Sequence, residues 1–171
     1  VVANTPLEDA LLAFAEHVRD HGLPTEGPYA RAADLLLRRP PRPEGGAAGA
    51  GLRRAEEDVL AAALRVCRGL GGAVLPVQGP PGTGKSYTGG RTIAALAATQ
   101  RVGITAVSHK VIDNLLRSAQ QGARESGRTL RLVHKADDED GDGIEYTTDN
   151  QEALDATGPG CVVGGTAWLW A

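Results

Sequence analysis

Apolar positions along this chain recur first at helical spacing and later in short runs separated by helical segments. Leu7, Leu11, Phe14, Ala15 and Val18 lie three or four positions apart, which predicts an amphipathic helix. Thr5-Pro6 suits its opening, Glu8 and Asp9 favour its positive end, and Gly22 closes it. A second short helix is predicted from Tyr29 to Arg38. The run Arg39-Pro40-Pro41-Arg42-Pro43 cannot continue that helix, and the Gly/Ala stretch to Gly51 reads as a linker. Helical spacing returns from Ala55 to Cys67. Ala73-Val74-Leu75-Pro76-Val77-Gln78 then reads as a short buried strand despite its proline.

Beyond that point the pattern alternates. Helices are predicted over Ser86–Thr99, Lys110–Gly122 and Gln151–Ala156, and strands over Arg101–Val107, Thr129–His134 and Cys161–Val163. An acidic loop fills the space before the last helix. Strands separated by helices of this length imply an α/β fold with a parallel sheet. The organisation expected is a helical segment with its Pro/Gly linker over 1–45, followed by one α/β domain over 46–171.

Composition narrows the picture. The chain has 171 residues, enough for one domain with a short appendage, and its apolar share of 42% is sufficient for a core. Much of that share is alanine, and 15 of the 18 basic residues are arginine, a bias that a GC-rich genome explains. No apolar run approaches the ~18 residues of a membrane span, so no membrane partner is expected. The chain begins Val1-Val2 with no initiator Met and no signal peptide, as an internal piece of a longer protein would. Cys67 and Cys161 show no metal-ligand spacing, and reduced thiols in a cytoplasmic protein are expected. The net charge of −3 conceals a partition: residues 51–135 carry thirteen basic and five acidic side chains, whereas 136–171 carry nine acids and no Lys or Arg. A basic middle suits phosphate ligands, although an unevenly charged solvated surface looks the same in sequence.

The strongest chemical signal is Gly79-Pro80-Pro81-Gly82-Thr83-Gly84-Lys85-Ser86, which satisfies the G-x-x-x-x-G-K-[ST] pattern between a predicted strand and a predicted helix. A polyphosphate needs several backbone N–H groups converging on it, and only small residues let the backbone come that close. Gly82, Thr83, Gly84 and Lys85 would supply those donors, and the helix adds the positive end of its dipole. Lys85 should reach the outer phosphates of ATP, and the Ser86 hydroxyl should ligate Mg²⁺.

Gln78 through Lys85 resembles motif I of the superfamily 1 DNA/RNA helicases. Ile104-Thr105-Ala106-Val107-Ser108-His109-Lys110 with the following Val111 to Leu116 resembles their motif Ia, and Val162-Val163-Gly164-Gly165-Thr166 their motif Ic. The Ser-His-Lys form of motif Ia is similar to that of bacterial proteins fusing a RecB-like nuclease half to such a helicase half. The resemblance is firm over about 55–171 and loose before it. It implies an incomplete RecA-like P-loop NTPase domain preceded by a small helical segment. It also implies ATP and Mg²⁺ as cofactors, and single-stranded DNA or RNA held by Ser108, His109, Lys110 and Thr166. Two departures stand out. The position matching the family's adenine-reading Gln is Glu56, which can accept from adenine N6 but cannot donate to N7; an ordinary exposed helix Glu is the alternative. No acidic pair follows a fourth buried strand, so the hydrolytic carboxylates and the second motor domain are not in this chain, and an exposed sheet edge should promote self-association. A P-loop ATPase acting on a protein partner, or a nucleotide-binding regulatory module, shares the loop and stays open.

Other groups carry weaker signals. Ser108 to Lys110 also suit a plain helix cap, and the Thr166 hydroxyl suits either a phosphate or a cap. Trp168 and Trp170 favour packing over base stacking. Asp138 to Asp142 fit the opening of a calcium loop, but Glu145 and Asp149 stand where an aliphatic residue and a Glu are needed, and a mobile acidic loop is expected. His17, His21 and His134 are expected at the surface.

Overall fold

The computed structural model describes residues 5–42, 51–137 and 141–170. In chain order the elements are α1 (Thr5–His21), α2 (Ala30–Leu36), α3 (Val59–Arg68), α4 (Lys85–Ala97), β1 (Val102–Ile104), α5 (His109–Glu125), β2 (Arg131–Lys135), β3 (Glu145–Thr147), α6 (Asn150–Asp155), β4 (Cys161–Gly164) and α7 (Ala167–Trp170). The four strands form one sheet in the order β1-β4-β2-β3, every pair parallel. The mixed α/β class expected from the alternating pattern is thus observed.

Parallel strands joined by helices leave both faces of a sheet to be covered. Leu132 and Val162 turn one way, onto Ala94, Ala97, Ile112, Leu116 and Ala123 of α4 and α5. Val133, Cys161 and Val163 turn the other way, onto Ala153 of α6 and Leu169 of α7. β4 is buried at every position, which accounts for its unbroken apolar run. Two glycines set how closely α5 lies on its neighbours. A Cβ on Gly164 would come within 2.4 Å of Ile112 Cγ2, and one on Gly90 within 2.5 Å of the Ser118 backbone.

Local chemistry fixes the helix ends. Asp58, Ser108 and Asp149 cap α3, α5 and α6, each side chain accepting a backbone N–H of the first turn. Glu57 binds Arg65 through two hydrogen bonds of 2.5 and 2.6 Å, and Arg65 also donates to Leu52 O at 2.6 Å. The Arg65 guanidinium, aided by the Arg54 N–H, holds the Glu57 carboxyl down at about 2. These bonds pin the segment before α3 onto it. At the N-terminal side, Phe14 and His17 of α1 meet Tyr29, and buried Asp34 of α2 binds Arg42 at 2.7 Å and Arg39 at 3.3 Å. The arginines of the 38–42 stretch are therefore spent partly on an internal carboxylate.

Three expectations are corrected. Residues 73–78 form no strand: they pair with none of the described strands, Pro76 lacks an N–H, and Val77 is exposed. None of the described strands offers them a ladder, and an apolar run becomes a strand only where a neighbour supplies one. The strand predicted over 101–107 shrinks to Val102–Ile104, with Val107 fully exposed. The acidic loop contains a strand, β3, whose Glu145 pairs with Arg131 of β2 at 2.8 Å. The linker at 43–50 lies outside the described residues, so the boundary near 45 does too.

Candidate functional site

The loop expected to cradle phosphates has the backbone that such a cradle needs. Gly82 and Gly84 hold φ of +81° and +80°, left-handed values that a side chain disfavours. A Cβ on Gly79 would stand 2.6 Å from Thr83 Oγ1, whose hydroxyl donates to Pro80 O at 2.8 Å and closes the turn. Gly84 is the N-cap of α4, and the first bonded amide of that helix is Thr88, donating to Gly84 O at 2.9 Å. The N–H groups of Lys85, Ser86 and Tyr87 lie in the turn that has no intrahelical acceptors. Lys85 Nζ bridges the loop by donating to Gly79 O at 2.5 Å and Pro80 O at 2.7 Å. The Ser86 side chain is exposed beside it, and its carbonyl accepts from Ser118 Oγ of α5 at 2.8 Å.

The loop borders a cavity of about 490 Å³ whose walls include Leu52, Val59, Val66, Leu75 and Val77, mostly apolar, together with Lys85. That volume suits a small organic molecule. Arg53 reaches this lining, but Glu56 does not and is exposed. Glu56 lies in the turn ahead of α3, so the helix expected from Ala55 begins only at Val59.

The second expected group lies past the C-terminal ends of the strands, the edge where open parallel sheets hold ligands. Ile104, Gly164, His134 and Tyr146 are register partners across β1, β4, β2 and β3 and form one row. Ser108 follows β1 and Thr166 follows β4, which brings these two expected residues to the same edge. Ser108 Oγ accepts from Val111 N–H at 3.4 Å, so its hydroxyl serves the cap of α5. His109 and Lys110, the first residues of α5, are exposed. Thr166 is half-buried and its carbonyl accepts from Leu169 N–H at 3.0 Å.

The expectation of a surface His134 is wrong. It is 1% exposed, and Asp113 Oδ1 sits 2.8 Å from its Nδ1. Tyr146 Oη donates to both Asp113 oxygens at 3.0 Å, and His134 Nε2 lies 3.0 Å from His109 Nδ1. A cavity of about 350 Å³ opens over this cluster, lined by His109, Lys110, Asp113, His134, Ala136 and Asp137. The sequence held a usable sign: Leu130, Leu132 and His134 alternate on one strand face, and two of them are core leucines. Asp113 follows His109 by one helical turn, the spacing that puts both on one face.

The remaining candidates are also placed. His17 and His21 stack on each other at 4.9 Å along α1, His21 exposed and His17 half-buried. The Trp170 ring lies over Gly103, where a Cβ would meet it at 2.7 Å, and its Nε1 donates to Gly165 O at 3.3 Å. Trp170 thus packs on β1 while part of its ring stays exposed. In the acidic segment Asp142 binds Arg117 at 2.6 Å and Asp149 caps α6, while Asp138 to Asp140 lie outside the described residues. No described helix is long and apolar enough to cross a membrane. Comparison with protein-family models, with characterised proteins and with solved structures finds no match to this chain.

Proposed function

We propose that this chain is the ATP-binding part of a superfamily 1 helicase motor, with a RecA-like fold, that couples ATP hydrolysis to movement along single-stranded DNA or RNA. One observation carries the reading: a tight loop with two left-handed glycines, ending in a lysine at a helix N-terminus and bordering an apolar cavity of about 490 Å³. Those features fit a polyphosphate joined to an aromatic base. Gly79, Gly82, Thr83 and Gly84 keep the backbone close and bare, Lys85 is the cation for the outer phosphates, and Ser86 offers the hydroxyl for Mg²⁺. Bound Mg·ATP supplies the hydrolysable anhydride. His109 and Lys110, with Ser108 and Thr166 at the same sheet edge, are assigned to the strand's phosphates.

Among the described residues, the acids that follow Ser86 along the chain are largely committed elsewhere. Asp113 serves His134 and Tyr146, Glu125 serves Arg91, Asp142 serves Arg117 and Glu145 serves Arg131. A carboxylate to orient Mg²⁺ and the attacking water is expected from outside these groups, and turnover by this chain alone is expected near background. The outer edge of β1 carries no described strand, which favours pairing between copies.

The reading is tested by the affinity of a labelled single-stranded oligonucleotide measured against salt. A strand-tracking motor domain loses affinity linearly on logarithmic axes as phosphate contacts release counterions. A P-loop ATPase that acts on proteins, or a nucleotide-binding regulatory module, shows no such binding, and that result would refute the helicase assignment while leaving the loop's role intact.

A further inference from the structure

Ser118 stands within α5, where a serine ordinarily bonds back to a carbonyl one turn earlier. Ser126, at the end of the same helix, does so and donates to Gly122 O at 3.0 Å. Ser118 Oγ instead crosses to α4 and donates to Ser86 O at 2.8 Å. Missing side chains make that crossing possible. A Cβ on Gly90 of α4 would stand 2.3 Å from Ser118 Oγ, and one on Gly122 of α5 would stand 3.0 Å from Arg91 Cα. The bond takes the carbonyl of Ser86 and leaves its exposed hydroxyl free.

We propose that Ser118 is a positioning residue for Mg²⁺: its bond to Ser86 O fixes the first turn of α4 so that the Ser86 hydroxyl meets the metal. The inference rests on the phosphate-loop reading and on Ser86 as the ligand of that metal. Ser118 itself need touch neither metal nor nucleotide.

The surroundings of this turn make such a tie matter. Lys85 and Ser86 border a cavity of about 360 Å³ shared with Ala63, Cys67 and Leu115, so close packing does not hold the turn on every side. Arg91 also bonds within the turn, to Tyr87 O at 3.3 Å, but it belongs to α4 and moves with it. The two ligands differ in what they demand. Phosphate oxygens are met by several backbone N–H groups of the loop, over which a small displacement of Ser86 is shared. Mg²⁺ keeps near-ideal octahedral geometry with oxygens at about 2.0–2.1 Å, and Ser86 is the one oxygen assigned to it from this loop. Losing the tie should therefore fall on the metal and spare the phosphates.

The test is titration of the whole chain with a β,γ-imido analogue of ATP, once with Mg²⁺ in excess and once with EDTA. The ratio of the two affinities reads the gain due to the metal. In the wild type Mg²⁺ should strengthen binding, and Ser86→Ala should remove that gain. Ser118→Ala should leave the affinity in EDTA unchanged and cut the Mg²⁺ gain by about three- to tenfold, the equivalent of one hydrogen bond. In a Ser86→Ala background, Ser118→Ala should cost nothing further, because both changes act through the same lost ligand. A merely structural role would instead weaken binding equally with and without the metal. That equal loss, an undiminished Mg²⁺ gain in Ser118→Ala, or a further loss in the double variant overturns the inference and leaves the loop's role standing. No Mg²⁺ gain in the wild type, or one that survives Ser86→Ala, refutes Ser86 as the ligand and this inference with it. No binding by the wild type removes the phosphate-loop reading itself.

Discussion

Adjacent glycines on α4 should respond in opposite directions to the same added methyl group. In a helix interior Gly→Ala normally stabilises by about 1 kcal/mol, because alanine loses less backbone entropy on folding. A Cβ on Gly89 would find only Leu115 Cδ1 at 3.6 Å, an ordinary contact. Gly89→Ala should therefore stabilise by about 0.5–1 kcal/mol. A Cβ on Gly90 would stand 2.3 Å from Ser118 Oγ and 2.5 Å from the Ser118 carbonyl carbon and oxygen. Carbon atoms in good contact sit about 3.5–4.0 Å apart, so α4 and α5 would have to separate by about 1 Å. The hydroxyl can rotate away, but it then loses its 2.8 Å bond to Ser86 O, worth about 1 kcal/mol. Overpacking of this kind costs about 1–3 kcal/mol, which outweighs the helix gain. Gly90→Ala should be less stable than wild type by about 1–3 kcal/mol, read from urea unfolding midpoints at unchanged slope. A Gly90→Ala variant as stable as Gly89→Ala would mean that α4 and α5 do not approach as described.

Lys110→Ala should weaken single-strand binding similarly for all sequences and reduce the salt slope by about one, as loss of a phosphate contact does. Its nucleotide affinity should not change, and a sequence-specific loss would refute the phosphate assignment. Glu57, held at about 2 by Arg65 from an ordinary 4.5, contributes stability that is present above pH 4.5 and lost as pH falls towards 2. The gap in unfolding midpoint between wild type and Glu57→Gln should accordingly be widest near neutrality and close through that window; a gap constant with pH would contradict the pairing.

What could be read in the sequence was local. The phosphate loop needs a few residues in fixed order, and its glycines stand where the backbone turns left-handed. The helices α1, α4 and α5 announced themselves through spacing and through caps such as Ser108. What escaped depends on partners distant in the chain. Residues 73–78 carry strand-like composition, but no described strand pairs with them. Glu145-Tyr146-Thr147 is short and polar at its start, and becomes β3 only because Val133, His134 and Lys135 pair with it. His134 is hidden in the sequence for the same reason. A lone histidine looks like surface until Asp113 from α5 and Tyr146 from β3 are brought to it, and their approach is a property of the register rather than of any one segment.

The central claim is that residues 79–86 bind the phosphates of a nucleotide, and titration of the chain with Mg·ADP, wild type against Lys85→Ala, tests it most directly. Lys85 Nζ lies across the loop on the carbonyls of Gly79 and Pro80, beside the cavity. A charge-assisted hydrogen bond is worth about 1.5–3 kcal/mol, so removing it should weaken binding by about tenfold or more. Saturable binding at one site, lost in large part by Lys85→Ala, is the predicted result. Equal affinity of the two proteins for Mg·ADP, or no saturable binding by the wild type, would contradict the account.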